Sequence, residues 1–181
     1  FGLKECAEYW QQVVAMNDYQ KRRFATNMVK TMFNTVTGKT ISIFGFAFKK
    51  DTGDTRESAA AFVMKDLMDE SAILNVYDPQ VTREQMMEEF KYTLDVTEDT
   101  VPNLNRMVNT VDSMIDACKG SHAIAVMTEW DEFATADYQA LYDVMQKPAF
   151  VFDGRNIVPH DKLREIGFEV YAIGKPHELQ F

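Results

Sequence analysis

The sequence predicts an α/β protein: a Rossmann-like open parallel sheet with helices on both faces, preceded by a long N-terminal helix. Two observations carry that class. After Gly38, short apolar runs alternate with amphipathic segments, the pattern that builds parallel sheets through helical crossovers. Before it, Leu3, Ala7, Trp10 and Val14, then Phe24, Met28 and Met32, recur at helical spacing.

The elements follow in order. Polar and basic groups from Asn17 to Arg23 interrupt the first stripe. Either one helix runs from about Leu3 to Asn34, or two helices meet near Asn17. One helix of ~30 residues would reach ~45 Å, more than the domain's own core needs, and suggests contact with another domain or subunit. Thr37-Gly38 is expected to stop it. Thr40–Phe44 then reads as a strand, Glu57–Met68 as a helix and Ile73–Tyr77 as a strand. Thr82–Phe90 reads as a helix, Thr93–Asn105 as a polar loop, Arg106–Thr110 as a short strand and Ser113–Cys118 as a helix. Ala123–Met127 has the apolar run of a buried strand, followed by a helix at Tyr138–Met145 and a strand at Ala149–Phe152. A helix at Asp161–Ile166 and a strand at Glu169–Ile173 end the pattern. The chain opens on Phe1 with a helical pattern already running by Leu3; we expect a piece of a longer protein.

Composition narrows the partners. The 181 residues carry a net charge of −9, the wrong sign for nucleic acid, which is held by basic surfaces. No apolar run approaches the ~20 residues of a membrane span, and no signal peptide opens the chain, so no membrane partner and a cytoplasmic location are expected. Cys6 and Cys118 lie far apart, without disulfide or metal-ligand spacing; both read as buried or semi-exposed thiols and not as nucleophiles. His122, His160 and His177 have no nucleophile or acid at a recognisable catalytic spacing and receive no role.

Against this acidic background one loop stands out for its two adjacent lysines and an arginine: Gly45 to Ser58, GFAFKKDTGDTRES. It links the first strand to the next helix, at the carboxyl edge where open α/β sheets bind ligands. Backbone N–H groups, hydroxyls and cations there suit an anion at a helix N-terminus. It lacks G-x-G-x-x-G, so a dinucleotide turn is not indicated. The competing reading is a well-capped turn, with Asp54 and Glu57 as a capping box and Gly53 giving backbone freedom.

Within the loop, Phe48 and Lys49 sit at the tip: a ring edge can wall off a sugar while an ammonium donates to hydroxyls or phosphate. Lys50 is a weaker candidate. Arg56 is expected in the first turn of the following helix, where a cation is disfavoured by the dipole; it either serves a ligand or pairs with Asp54 or Glu57. Arg155 follows Phe152-Asp153-Gly154 at a strand end, and its planar fork suits diphosphates and vicinal hydroxyls; Asp153 would orient it or cap the next turn. Asp78 ends the second strand, where a dinucleotide fold places its ribose-binding acid, but without the glycine fingerprint it reads as a turn residue. Thr128-Glu129-Trp130 either lines the cleft or packs.

These strings have a family likeness. Gly45–Ser58, Tyr9-Trp10-Gln11-Gln12-Val13 with Met16-Asn17-Asp18-Tyr19-Gln20, Tyr77-Asp78-Pro79, Thr128-Glu129-Trp130 and Phe152-Asp153-Gly154-Arg155 occur in the order found in the UDP-glucose/GDP-mannose dehydrogenases. Over essentially its whole length the chain resembles the carboxyl-terminal part of that family, in its UDP-glucose 6-dehydrogenase branch. The resemblance implies that residues 1–37 end a central helical, connecting or dimerisation region and that 38–181 form a UDP-sugar-binding domain. It implies Phe48, Lys49 and Arg155 as substrate contacts for UDP-glucose or UDP-glucuronate, and Arg56 as a cofactor contact across a domain cleft. The family oxidises the sugar's 6-hydroxyl twice with two NAD⁺, through a cysteine adduct and a thioester. The NAD-binding domain, the G-G-S-C-F-type cysteine string and the catalytic lysine and asparagine are expected upstream. Cys6 does not match that cysteine, so this chain is expected to be inactive alone, a partner to that domain within a homo-oligomer. Sister enzymes acting on GDP-mannose or a UDP-N-acetyl-hexosamine, and a non-enzymatic nucleotide-binding module of flavodoxin-like topology, are the rival expectations.

Overall fold

The structure, a computed structural model, describes residues 2–93 and 101–175, with only the backbone at 101–103. His177 and part of the polar stretch after Thr93 lie outside the described residues.

Six parallel strands form one sheet: β1 Thr40–Phe44, β2 Ile73–Tyr77, β3 Val108–Thr110, β4 Ala123–Val126, β5 Phe150–Asp153 and β6 Glu169–Ala172. Their spatial order is β3-β2-β1-β4-β5-β6, the doubly wound order that reverses direction beside the first strand and leaves a crevice there. Each central strand was legible as an apolar run because it is covered on both sides: β4 and β5 are buried at every position.

The first helix, α1 Lys4–Thr31, is continuous, so the polar stretch from Asn17 to Arg23 turns its solvent side outward and does not break it. Its last turns enter the core through Phe24, Ala25 and Met28, and Phe33 meets Phe150 edge to face. Residues 2–20 are exposed, among them Tyr9, Trp10, Val13, Val14, Met16 and Tyr19. The helix stops before Thr37-Gly38. Phe33 and Asn34 adopt left-handed φ of 64° and 57°, a conformation that ends helices.

The crossovers are α2 Ala59–Asp69, α3 Arg83–Thr93, α4 Val101–Met107, α5 Met114–Cys118, α6 Asp131–Ala134, α7 Tyr138–Val144 and α8 His160–Ile166. Helices α1, α2 and α3 pack on one another in turn, as do α5, α7 and α8, giving the two outer layers. Arg106, expected in a strand, belongs to α4, and the strand shortens to Val108–Thr110. Helix α6 was not expected; it is one turn long, too short for periodicity to show.

The strand ends are level. Phe44 is in register with Tyr77 and Val126, and Val126 with Asp153. Gly45, Asp78, Met127 and Gly154 therefore stand in one row along the carboxyl edge. Two glycines are needed there. Gly45 has φ +89°, and a Cβ on it would lie 2.4 Å from the Thr128 Cβ; one on Gly154 would lie 2.8 Å from the Val126 carbonyl oxygen. Both distances are below contact, so close approach of the loops excludes side chains.

Candidate functional site

The loop after β1 is organised by acids from neighbouring strands. Asp78 Oδ2 accepts the Phe46 and Ala47 backbone N–H groups at 2.7 and 3.0 Å and the Trp130 Nε1–H at 3.2 Å. Its Oδ1 accepts from Gln80 and Val81 N–H at 2.9 and 3.0 Å. The turn role expected of Asp78 is thus half of its work; the other half pins β1's loop and the loop after β4. Thr128 adds a second tie, its hydroxyl donating to the Ala47 carbonyl at 2.7 Å. Thr128, Glu129 and Trp130 therefore pack and line the edge at once.

Past Ala47 the chain makes a closed excursion. Phe48 N–H donates to the Asp54 carbonyl at 2.8 Å, and Asp51 takes a left-handed φ of 61°. The tip is offered to solvent: Phe48 is 51% exposed, and Lys49 is exposed too. Lys50 turns away to Asp131, Nζ to Oδ1 2.7 Å, and that carboxylate raises its pKa. Surface pairing thus accounts for Lys50.

Helix α2 does not begin with an Asp54–Glu57 capping box. Ser58 is its N-cap, the hydroxyl accepting from Ala60 N–H at 3.2 Å, while Glu57 sits at φ 54° and gives its own N–H to Glu89. Arg56 consequently lies before the helix, not in its first turn. It grips Asp54 as a fork, Nε to Oδ1 2.9 Å and Nη2 to Oδ2 2.7 Å. The Arg56 hydrogen bonds, helped by the Lys49 charge, pull the Asp54 pKa down to about 2. The arginine side chain is 82% exposed, so the pair stands at the mouth of the edge, open to anything docking there.

Arg155 reaches the same place from β5. Its Nε donates to the Met127 carbonyl at 2.7 Å and its Nη2 to the Phe48 carbonyl at 3.3 Å, tying the ends of β4 and β5 to the loop tip. Glu129 Oε2 lies 3.4 Å from the same Nε, an ion pair without hydrogen-bond geometry, and that oxygen is buried with no hydrogen-bond partner. Glu129 Oε1 accepts the Lys50 N–H at 3.3 Å. The Arg155 side chain is 32% exposed. Phe48, Lys49 and Arg155 thus share one edge, with Arg56 on the same loop.

Two features of a dinucleotide-binding edge are missing among the described residues. The acid that would take a ribose hydroxyl, Asp78, is filled by five N–H donors of this chain, and no glycine fingerprint follows β1. Among the described residues, no group of His, Cys, Asp and Glu is arranged to hold a metal, and no helix is long and apolar enough to cross a membrane.

Fold and edge together define a Rossmann-like domain whose first strand-to-helix loop sets Phe48 and Lys49 in solvent at the carboxyl edge. The sequence profile of the UDP-glucose/GDP-mannose dehydrogenase family's UDP binding domain matches residues 42–160, and the chain belongs to that family. It is 54% identical to UDP-glucose 6-dehydrogenase 1 of Glycine max and 52% identical to UDP-glucose 6-dehydrogenase 4 of Oryza sativa subsp. japonica. Each match covers 97% of this chain and 38% of the relative, so the chain spans about two-fifths of their length. Among solved structures, a UDP-glucose dehydrogenase from Pyrobaculum islandicum superposes with a TM-score of 0.63 at 23% identity, over 90% of this chain and 31% of that one. The NDP-N-acetyl-D-galactosaminuronic acid dehydrogenase of Methanosarcina mazei Go1 gives 0.67 at 18% identity, over 88% and 30%. These structures share the fold; the plant relatives share more than half of the residues.

Proposed function

We propose that this chain is the UDP-sugar-binding part of a UDP-glucose 6-dehydrogenase, an NAD-dependent enzyme that turns UDP-glucose into UDP-glucuronate. The observation that carries the reading is the convergence of Lys49, Phe48 and Arg155 on one strand edge inside the segment matched as a UDP binding domain. Lys49 supplies an ammonium to phosphate or sugar hydroxyls, Phe48 an apolar wall, and Arg155 a planar donor set at the crevice. Arg155 already holds the Phe48 carbonyl, so ligand would meet a loop whose ordering cost is largely met before binding.

In this reading residues 1–37 end a central helical region and 38–181 form the binding domain. NAD is held by a domain upstream, a reading supported by the Asp78 carboxylate's being filled by this chain's own donors. Arg56, exposed at the mouth of the edge, faces that cofactor across the cleft. The catalytic cysteine, lysine and asparagine also lie upstream, and the chain alone is inactive. The exposed apolar side of α1 (Tyr9, Trp10, Val13 and Val14) is covered by the remainder of a cytoplasmic homo-oligomer.

The test is calorimetric titration of the chain with UDP-glucose, with GDP-mannose as control and Lys49→Ala beside the parent. Selective UDP-glucose binding that weakens in the variant supports the reading. Preference for GDP-mannose moves it to the sister enzymes, and no binding by a folded sample removes the claim of a preformed half-site.

A further inference from the structure

We propose that Asp153 and His160 are positioning residues for Arg155, a buried pair that fixes the turn from which the arginine reaches the ligand edge. The inference rests on the reading of Arg155 as a UDP-sugar contact.

Asp153 is the last residue of β5 and has no exposed surface. Its Oδ1 accepts the Arg155 N–H at 2.9 Å; its Oδ2 accepts the Val158 N–H at 3.1 Å and meets His160 Nε2 at 2.8 Å. The carboxylate therefore closes the 153–158 turn from inside, while Asn156, at φ 57°, holds its outer side by donating from Nδ2 to the Ile173 carbonyl at 2.9 Å. An Asp at a strand end could close this turn through Oδ1 alone. The second oxygen and the buried imidazole are additional.

The ring's protonation pattern follows from its neighbours. His160 Nδ1 lies 3.0 Å from Lys175 Nζ, and an ammonium can only donate. Nδ1 is therefore the acceptor, and Nε2 carries the hydrogen given to Asp153. A carboxylate at the other end requires the same tautomer. The third member is an ammonium and not a hydroxyl or thiol, so the set orients a backbone and activates no nucleophile.

Loss of the Nε2–H leaves a buried carboxylate oxygen short of a donor, which is costly. Only the turn can relax to recover it. Movement there displaces Arg155, whose Nε and Nη2 must reach the Met127 and Phe48 carbonyls together.

The experiment is UDP-glucose titration of the chain as parent, His160→Leu, His160→Gln, Arg155→Ala and the Arg155→Ala/His160→Leu double variant, each shown folded by its thermal transition. His160→Leu is expected to weaken binding about tenfold, within the range for residues in one hydrogen-bond network. His160→Gln, whose Nε2 also donates, should restore it. In the Arg155→Ala background His160→Leu should add nothing. Equal losses in both backgrounds, or no rescue by glutamine, would overturn the proposal. If even the parent ignores UDP-glucose, the claim of a preformed half-site fails, and amide hydrogen exchange at Arg155 decides this one. Faster exchange in His160→Leu that is normal in His160→Gln upholds the positioning role; identical exchange in all three overturns it.

Discussion

The Asp78 carboxylate accepts the Phe46 backbone N–H at 2.7 Å, joining the end of β2 to the first turn beyond β1. That bond and the four others to the same side chain make Asp78 the anchor of the ligand edge. Removing it orphans the Phe46 and Ala47 N–H groups and the Trp130 indole, on residues that are all buried. At ~1.5–3 kcal/mol for a hydrogen bond to a charged group, and with water able to reach part of the gap, Asp78→Ala should cost about 3 kcal/mol. For a chain of this size that is a drop of roughly 6–12 °C in Tm. Calorimetric melting checks it; a loss under ~1 kcal/mol would mean that the loop is held by Thr128 and Arg155 instead.

Lys49 and Arg155 should separate affinity from stability. Lys49 is exposed at the tip, so Lys49→Ala should leave stability within about 0.5 kcal/mol and lower UDP-glucose affinity about tenfold, the worth of one charged hydrogen bond. Arg155→Ala should lower both, because its guanidinium also ties the Met127 and Phe48 carbonyls. Titration and melting of the two variants side by side give the answer. Equal stability losses would show that the tip lysine is structural.

The fold was legible because its signals are local. Thr40–Phe44 and Ile73–Tyr77 announce themselves as apolar runs bounded by polar turns, and the structure places strands at those residues. The loop that lines the edge was legible for the same reason: it had to follow the first strand. What sequence could not show are contacts whose partners are distant along the chain. Asp78 meets donors 31 to 52 residues away, and Glu129 meets Lys50 and Arg155 from a third loop. His160 received no role because its acid, Asp153, lies across a turn in a spacing that matches no catalytic motif. The capping box failed on a closer competitor, Ser58, one residue before the helix.

Gly45 is a sharper test of the packed edge. An alanine there would bear φ +89° and set its Cβ 2.4 Å from the Thr128 Cβ. Left-handed strain and overpacking each cost ~1–3 kcal/mol, so Gly45→Ala should destabilise by about 3 kcal/mol and weaken ligand binding with it. Denaturant titration measures the first. A near-neutral result would require the β1 and β4 loops to sit farther apart.

The two thiols should differ in reactivity. Cys118 is buried against Ser42 and Ser121, and burial pushes its pKa up to about 12, so little thiolate forms at pH 8. Cys6 is exposed on α1. Iodoacetamide at pH 8 should label one thiol per folded chain and two in denaturant, and peptide mapping should place the first on Cys6. Rapid native labelling of Cys118 would contradict its place beneath the sheet.

Asp54 offers a titration whose sign is fixed in advance. Its ordinary carboxyl pKa is 3.8, and the Arg56 fork lowers it to about 2. A depressed folded value means that the ionised, paired form is favoured in the native state. The pair's contribution is therefore complete above the ordinary pKa and is lost as pH falls through the folded one. The side chain is open to solvent, so the stability at stake is small and the site-specific titration is the better readout. Carboxyl NMR should find the Asp54 midpoint near pH 2 in the parent and well above it, toward 3.8, in Arg56→Ala. Raised salt should shift the parent midpoint the same way, since screening weakens an exposed pair. A parent midpoint already near 3.8 would mean that Arg56 is not held by Asp54. In that case the arginine would be free to reach a docked cofactor without first breaking an ion pair.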